Sequence, residues 1–294
     1  MPILGIIASS LRRMADGITW TQRTLPVSAD WQSVTFGAST IVAVATGSSI
    51  AATSADGITW TQRTLPVSAN WQSVTFGSST FVAVAFGSSI AATSANGITW
   101  TQRTLPVSAS WTSVTFGAST FVAVSQSSST IAATSADGIT WTQRTLPVSA
   151  DWQSVTFGGS TFVAVASGSI AATSADGITW TQRTLPTSTN WQSVAFGAST
   201  FVAVARNTSI AATSADGITW TQRTLPVFAT WQSVTFGGST FVAVASGSIA
   251  ATSADGITWT QRTLPTSTGW RSVTFGGSTF VAVAVTSTIA ATSS

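Results

Sequence analysis

The sequence predicts an all-β protein: a seven-bladed β-propeller with four-stranded antiparallel blades, closed by the N-terminal strand completing the last blade. Three observations carry this. Fourteen tryptophans fall into two series, Trp20, Trp60, Trp100, Trp141, Trp180, Trp220, Trp259 and Trp31, Trp71, Trp111, Trp152, Trp191, Trp231, Trp270, with a constant offset of 11 residues and a period of 39 to 41. A period near forty is typical of propeller blades. Each period contains four short β-prone runs, and the two ends of the chain carry complementary parts of one unit.

In the second unit the runs are WQSVTF (71–76), TFVAVA (80–85), SIAATS (89–94) and ITWTQRTL (98–105). Val, Ile, Thr, Phe and Trp fit a pleated, buried surface, and Gly, Ser, Asn or Asp separates one run from the next. The alanine-rich runs are short and flanked by β-branched residues, which argues against helix. A solenoid is the competing repeat fold, but it uses shorter rungs or helical segments. The chain opens with a fourth run, 18–25, that has no first run before it, and ends with WRSVTF, TFVAVA and TIAATS, which lack a fourth. Joining the two restores the unit and removes exposed sheet edges.

Residues 14–294 are therefore expected to form one propeller domain. Residues 1–13 stand apart as an N-terminal extension. Their ILGIIASS loosely matches FVAVASGS, so they read as a repeat relic, as a segment that docks to a partner, or as both. Their apolar stretch precedes the arginines, the reverse of a secretory signal. No apolar run is long enough to span a bilayer. Synthesis and folding in a cytoplasm are expected.

The near-invariant stretch is SADGITWTQRTLP, as at 54–66. Its Asp (Asp16, Asp56, Asp137, Asp176, Asp216, Asp255, with Asn96 in the same frame) can accept backbone N–H groups two residues on, while Gly supplies a positive φ. Trp then anchors the next strand by burying a large area. One carboxylate per turn falls short of the six to eight oxygens calcium takes, and Asn96 suits an Asx turn better than a metal. These are read as structural turns, with no metal and no cofactor. The motif resembles the Asp-box of bacterial neuraminidases and many other propellers, shortened by one residue. The short form is similar to the SxDGxxW blades of bacteriophage tail and fibre proteins, and the resemblance runs from Ala15 to Ser294. It implies a propeller fold and says little of activity, because propellers host unrelated functions.

Composition narrows the chemistry. Apolar residues make up 44% of the chain, charged residues 6%, and the net charge is +3. Cys, His, Tyr, Lys and Glu are absent. That removes thiolate metal sites, the Ser-His-Asp triad and the Tyr–Glu machinery of neuraminidases. Asp30 and Asp151, the two acids outside the turn frame, sit three units apart. The chain is expected not to be an enzyme. Seven of its eleven arginines recur once per unit, in TQRT, and are spread out; they are expected to be solvated or paired with a nearby Asp, and a nucleic-acid partner is not supported.

Differences between units collect in two connections. The one before the second Trp carries Asp30, Asn70, Ser110, Asp151, Asn190, Thr230 or Gly269, and Phe228 in one unit. The one between the second and third runs reads TGSS, FGSS, QSSST, SGS, RNTS, SGS and VTST. In an antiparallel four-stranded blade both emerge at the same end, so the variety gathers on one face. The candidate binding residues are Asn70, Phe86, Gln126, Asn190, Arg206, Asn207, Phe228 and Arg271. Amides, arginines and an exposed Phe suit carbohydrate recognition. Drift in tolerant loops is the plainer account.

The resulting expectation is a structural or attachment protein. Its leading setting is the tail, fibre or surface of a bacteriophage virion, with residues 1–13 joining other subunits and a cell-surface glycan as the candidate ligand. The alternatives are a lectin-like module of a bacterium or its phage, at the cell surface, and a scaffold for protein partners in the bacterial cytoplasm.

Overall fold

The computed structural model describes residues 16–293; the expected docking segment, 1–13, lies outside them. Among the described residues every regular element is a β-strand. In the second unit the first run is the strand Trp71–Gly77. The second and third runs fuse into one strand, Thr80–Ser94, with register shifts around Ser88. The fourth run begins at Thr101, later than expected, because Ile98 to Trp100 belong to the turn.

That fourth run does not stop at the end of its unit. Thr101–Gly117 crosses into the next unit and becomes its first strand. The ladders consequently form three sheets, of 7, 6 and 8 strands, where separate four-stranded sheets were expected. The physical reason is the connection itself. The segment LPVSAS, 105–110, stays extended, so one strand belongs to two neighbouring units and their ladders join.

The turn between the first and second runs explains its own narrow composition. Ala38 and Ser39 have φ of 46° and 58°, and the equivalent pairs repeat this in the other units. Two consecutive left-handed residues make the hairpin turn that matches strand twist, and small residues tolerate it best. The turn before the fourth run is built by side chains. Asp56 Oδ1 accepts N–H groups from Ile58 (2.8 Å) and Thr59 (3.1 Å), Ser54 Oγ accepts the Gly57 N–H (2.8 Å), and Trp60 Nε1 donates to Gly57 O (2.9 Å). Gly57 has φ of 76°. Asn96 Oδ1 makes the same two bonds to Ile98 and Thr99.

The core lies between consecutive units. In one interface Val42 and Val44 pack with Trp71, Phe81, Ala83, Ala85 and Trp100. Alternation in TFVAVA does the sorting: valines face the next unit, alanines face their own two tryptophans and leave them room. Both faces of this strand are buried, so it reads as a continuous apolar run. The last interface joins the two ends of the described chain. Trp20 packs with Trp270, Phe280 and Ala291, and the strand Trp20–Gly37 pairs antiparallel with Ser287–Ser293. The N-terminal strand therefore completes the C-terminal sheet.

Two further sets of contacts run from unit to unit and return to their start. Val74 N–H donates to Ser33 Oγ (3.1 Å), Val114 to Ser73, Val155 to Ser113, Val194 to Ser154, Val234 to Ser193, Val273 to Ser233, and Val34 to Ser272 (3.2 Å). The ring of Phe76 lies over Gly37, where a Cβ would sit 2.0 Å from its Cγ, and the series ends with Phe36 over Gly276. Gly is required there by the close approach of a neighbour rather than by φ.

Candidate binding face

The first strand of every unit carries the same irregularity. The ladder skips a residue between Trp31 and Ser33, and likewise in the other six units. The bulged residues are Gln32, Gln72, Thr112, Gln153, Gln192, Gln232 and Arg271. A bulge leaves its residue unpaired and re-aims its side chain. Here all seven face one cavity of about 520 Å³, lined also by six of the seven serines that follow them. Its remaining lining comes from the variable connections, through Phe86, Gln126, Ser167, Asn190 and Arg206.

The structure brings the two variable connections together, as the antiparallel reasoning requires. Asn190 is the register partner of Arg206, which is in turn the partner of Thr230. The Phe86 N–H donates to Asn70 O at 2.8 Å. Of the eight candidate residues, Phe86, Gln126, Asn190, Arg206 and Arg271 line the cavity. Asn70 lies beside it in a second, shallower depression that also touches Phe86. Asn207 has φ of 56° and accepts a bond from Thr230 Oγ1 (2.7 Å), so it serves the loop itself. Phe228 is 70% exposed and is not part of the cavity wall.

Differences between units do not reveal the bulge ring, because five of its seven members are glutamine. Strict alternation would turn the residue after a core tryptophan to the opposite sheet face; it is the bulge that aims it into the cavity, and the sequence does not mark the bulge. Arg271 was found only because it differs.

Electrostatically the cavity is one-sided. Its lining holds two cations, Arg206 and Arg271, and no acid. Arg271 Nε donates to Gln32 Oε1 (2.8 Å) and its Nη1 to Gln232 Oε1 (3.2 Å), so two neutral amides from the flanking units hold the guanidinium. Burial pushes the Arg271 pKa down, and the positive charge of Arg206 adds to this. On another part of the wall Gln153 Nε2 donates to Gln126 Oε1 (3.1 Å).

The other polar candidates serve the frame. Of the two expectations for the TQRT arginines, solvation or pairing with a nearby Asp, the pairing gives way to a hydroxyl: Arg63 Nε donates to Thr53 Oγ1 (2.9 Å), and Arg23 makes the same bond to Thr292 across the closure. A threonine one strand away is nearer than any turn carboxylate. Asp151 accepts the N–H groups of Ser127 (3.0 Å) and Ser128 (2.7 Å), holding the longest of the variable loops. The tryptophans are core, fully buried in the second series and 8% exposed in the first.

Comparison with known proteins bears on the fold. The family model of the DUF6242 β-propeller domain matches residues 108–226. No curated protein matches the sequence. Among solved structures, virginiamycin B lyase from Staphylococcus aureus is similar with a TM-score of 0.84 at 11% identity, over 94% of this chain and 98% of that one. YCF48 bound to a D1 peptide is similar with a TM-score of 0.74 at 16% identity, over 97% and 99% of the chains. The Pan2 WD40 domain of Neurospora crassa follows at 0.71 and 9%, over 95% and 97%. The chain is an all-β propeller. No helix among the described residues is long and apolar enough to cross a membrane. The expectation that the chain is not an enzyme is corrected here, since a protein named as a lyase is built on the same fold. At 11% identity the likeness shows the fold alone, so enzymatic status follows neither from it nor from the missing residue types.

Proposed function

We propose that residues 14–294 form a seven-bladed propeller that acts as an interaction module, receiving a polar partner on the face where its loops vary. Support for seven blades comes from the serine–valine hydrogen bonds, which return to their origin after seven steps. The observation that carries the function is the cavity at the mouth of the ring. It collects five of the eight variable candidates and the seven bulged residues, over a frame that barely changes. A volume of about 520 Å³ suits a small ligand or the end of a larger one. Amides and hydroxyls favour a glycan. A peptide is the second reading, favoured by the similarity in fold to YCF48 bound to a D1 peptide. The setting in a phage tail, fibre or surface, or on a bacterial surface, is supported by the SxDGxxW resemblance alone.

The test is binding of the purified protein to glycan and peptide arrays, beside a variant carrying Gln72→Ala, Gln153→Ala and Gln192→Ala. A ligand bound by the wild type and lost by the variant is the expected result. Binding that survives the triple change, or no ligand on either array, would overturn the proposal.

A further inference from the structure

The cavity wall is nearly seven-fold in its chemistry, and Arg271 is where it departs most. At the bulge position five units carry Gln and one carries Thr. An arginine there puts a full charge where the others put an amide. The guanidinium has five N–H donors in a fixed fork. Among the described residues two of its nitrogens, Nε and Nη1, donate to protein, both to neutral glutamine oxygens. Three N–H groups remain free of a protein acceptor, in a cavity whose lining contains no carboxylate. The second cation of the lining, Arg206, lies close enough for its charge to be felt at Arg271. A partly desolvated cation without a counter-charge is costly, and the like charge of the exposed Arg206 adds to the cost at Arg271.

An anion would relieve both costs. A planar carboxylate matches the guanidinium fork. The rest of the wall selects what the carboxylate is attached to. Glutamine amides, Asn190 and the lining serines offer donors and acceptors in both senses, as a ring of hydroxyls needs, and Phe86 offers an aromatic face. The cavity volume falls within the range of small-ligand clefts.

We propose that Arg271 and Arg206 form a subsite for the carboxylate of a uronic-acid-type sugar, whose hydroxyls are received by the neighbouring glutamines. This deepens the interaction-module reading and rests on it. The same acid group could belong to a free monosaccharide or to a residue of an acidic polysaccharide, and separate arms of one experiment tell these apart.

Titration calorimetry of the full chain would compare glucuronate, polygalacturonate and glucose, with sulfate and a short peptide ending in a free carboxylate as controls. Glucuronate or polygalacturonate should bind, at least about tenfold tighter than glucose, the worth of one charged hydrogen bond. With galacturonate added as the monomer of matching stereochemistry, tighter binding of polygalacturonate per residue assigns the subsite to a chain, and equal binding assigns it to a monosaccharide. Arg271→Gln installs the residue of five other units and should weaken uronate binding by about tenfold or more, with the unfolding temperature checked alongside. Arg206→Ser leaves the bulge ring intact and should weaken it less, the loss shrinking with added salt. Unchanged affinity in both variants, or sulfate or the peptide binding as tightly as glucuronate, would overturn the subsite. If neutral glycans bind the cavity and uronates do not, this inference fails while the interaction-module reading stands. If nothing binds there, both fail.

Discussion

The Ser272 hydroxyl accepts a hydrogen bond from the Val34 N–H at 3.2 Å, across 238 residues of sequence. Ser33 accepts the same bond from Val74 at 3.1 Å, across 41. The closing contact thus has the geometry of the internal ones, and the first strands of the first and last units are neighbours like any other pair. If the ring closes in solution, Ser272→Ala should destabilise the fold as much as Ser73→Ala does. Each change leaves a part-buried N–H without its acceptor, worth about 1–2 kcal/mol. Chemical denaturation of both variants checks it; a neutral Ser272→Ala beside a costly Ser73→Ala would mean that the ends separate.

Gly37 and Phe76 make a sterically harsher test. An added methyl group would meet the Phe76 ring at 2.0 Å, and the ring is itself wedged between units. Gly37→Ala should cost about 1–3 kcal/mol through overpacking, and Phe76→Ala should remove most of that penalty when the two are combined. Thermal melts of the two single variants and the double variant read the coupling. Additive losses would place the strain elsewhere.

The aspartate turns give the fold a pH dependence of known sign. Backbone N–H donors, chiefly from Ile58 and then Thr59, hold Asp56 below its ordinary pKa of 3.8, and Asp137, Asp176, Asp216 and Asp255 are lowered by the same kind of contact. A carboxylate lowered in the folded state contributes stability that is complete above the unfolded value and lost as pH falls through the folded one. Stability should therefore be flat above about pH 5 and decline below about pH 4. The turns are largely exposed, so each contributes little and the effect is read from the set. Changing all five residues to Asn, which already makes these bonds at position 96, should flatten the acid limb while leaving stability at neutral pH nearly unchanged. Asp56→Ala, which loses both bonds, should cost about 1 kcal/mol at neutral pH. Denaturant midpoints between pH 2.5 and 7 measure all three.

Repetition made the frame legible and hid part of the site. The Trp31–Trp71 spacing gave the unit, and the complementary ends gave the pairing of residues 20–24 with 289–293. Local chemistry at Asp56 and Gly57 was readable because every partner lies within three residues. Fusion of the runs across the connection was not readable. It depends on LPVSAS staying extended, and nothing in that composition forbids a turn. The Thr53 partner of Arg63 was not legible because it is ten residues away on an adjacent strand, where the sequence offered only solvent or a nearby carboxylate. Variation between units pointed to Phe86 and Arg206 and overlooked Gln72, whose importance comes from a bulge that the sequence does not mark.

The clasp between Trp20–Gly37 and Ser287–Ser293 leads to the last prediction. Trp20 fills the final interface as Trp60 fills the first, and both are 8% exposed. Trp20→Ala and Trp60→Ala should each cost about 3–5 kcal/mol, although Trp20 reaches its interface from the far end of the chain. Removing residues 1–30 goes further, since it strips Ser287–Ser293 of its antiparallel partner and leaves a free sheet edge. Such an edge recruits another chain. The truncated protein should therefore dimerise or aggregate on a sizing column, and a synthetic peptide of residues 14–30 should restore the wild-type elution volume by taking the empty place. A truncated chain that elutes and melts like the full one would show that the sheet ending in Ser287–Ser293 needs no partner from the N-terminus.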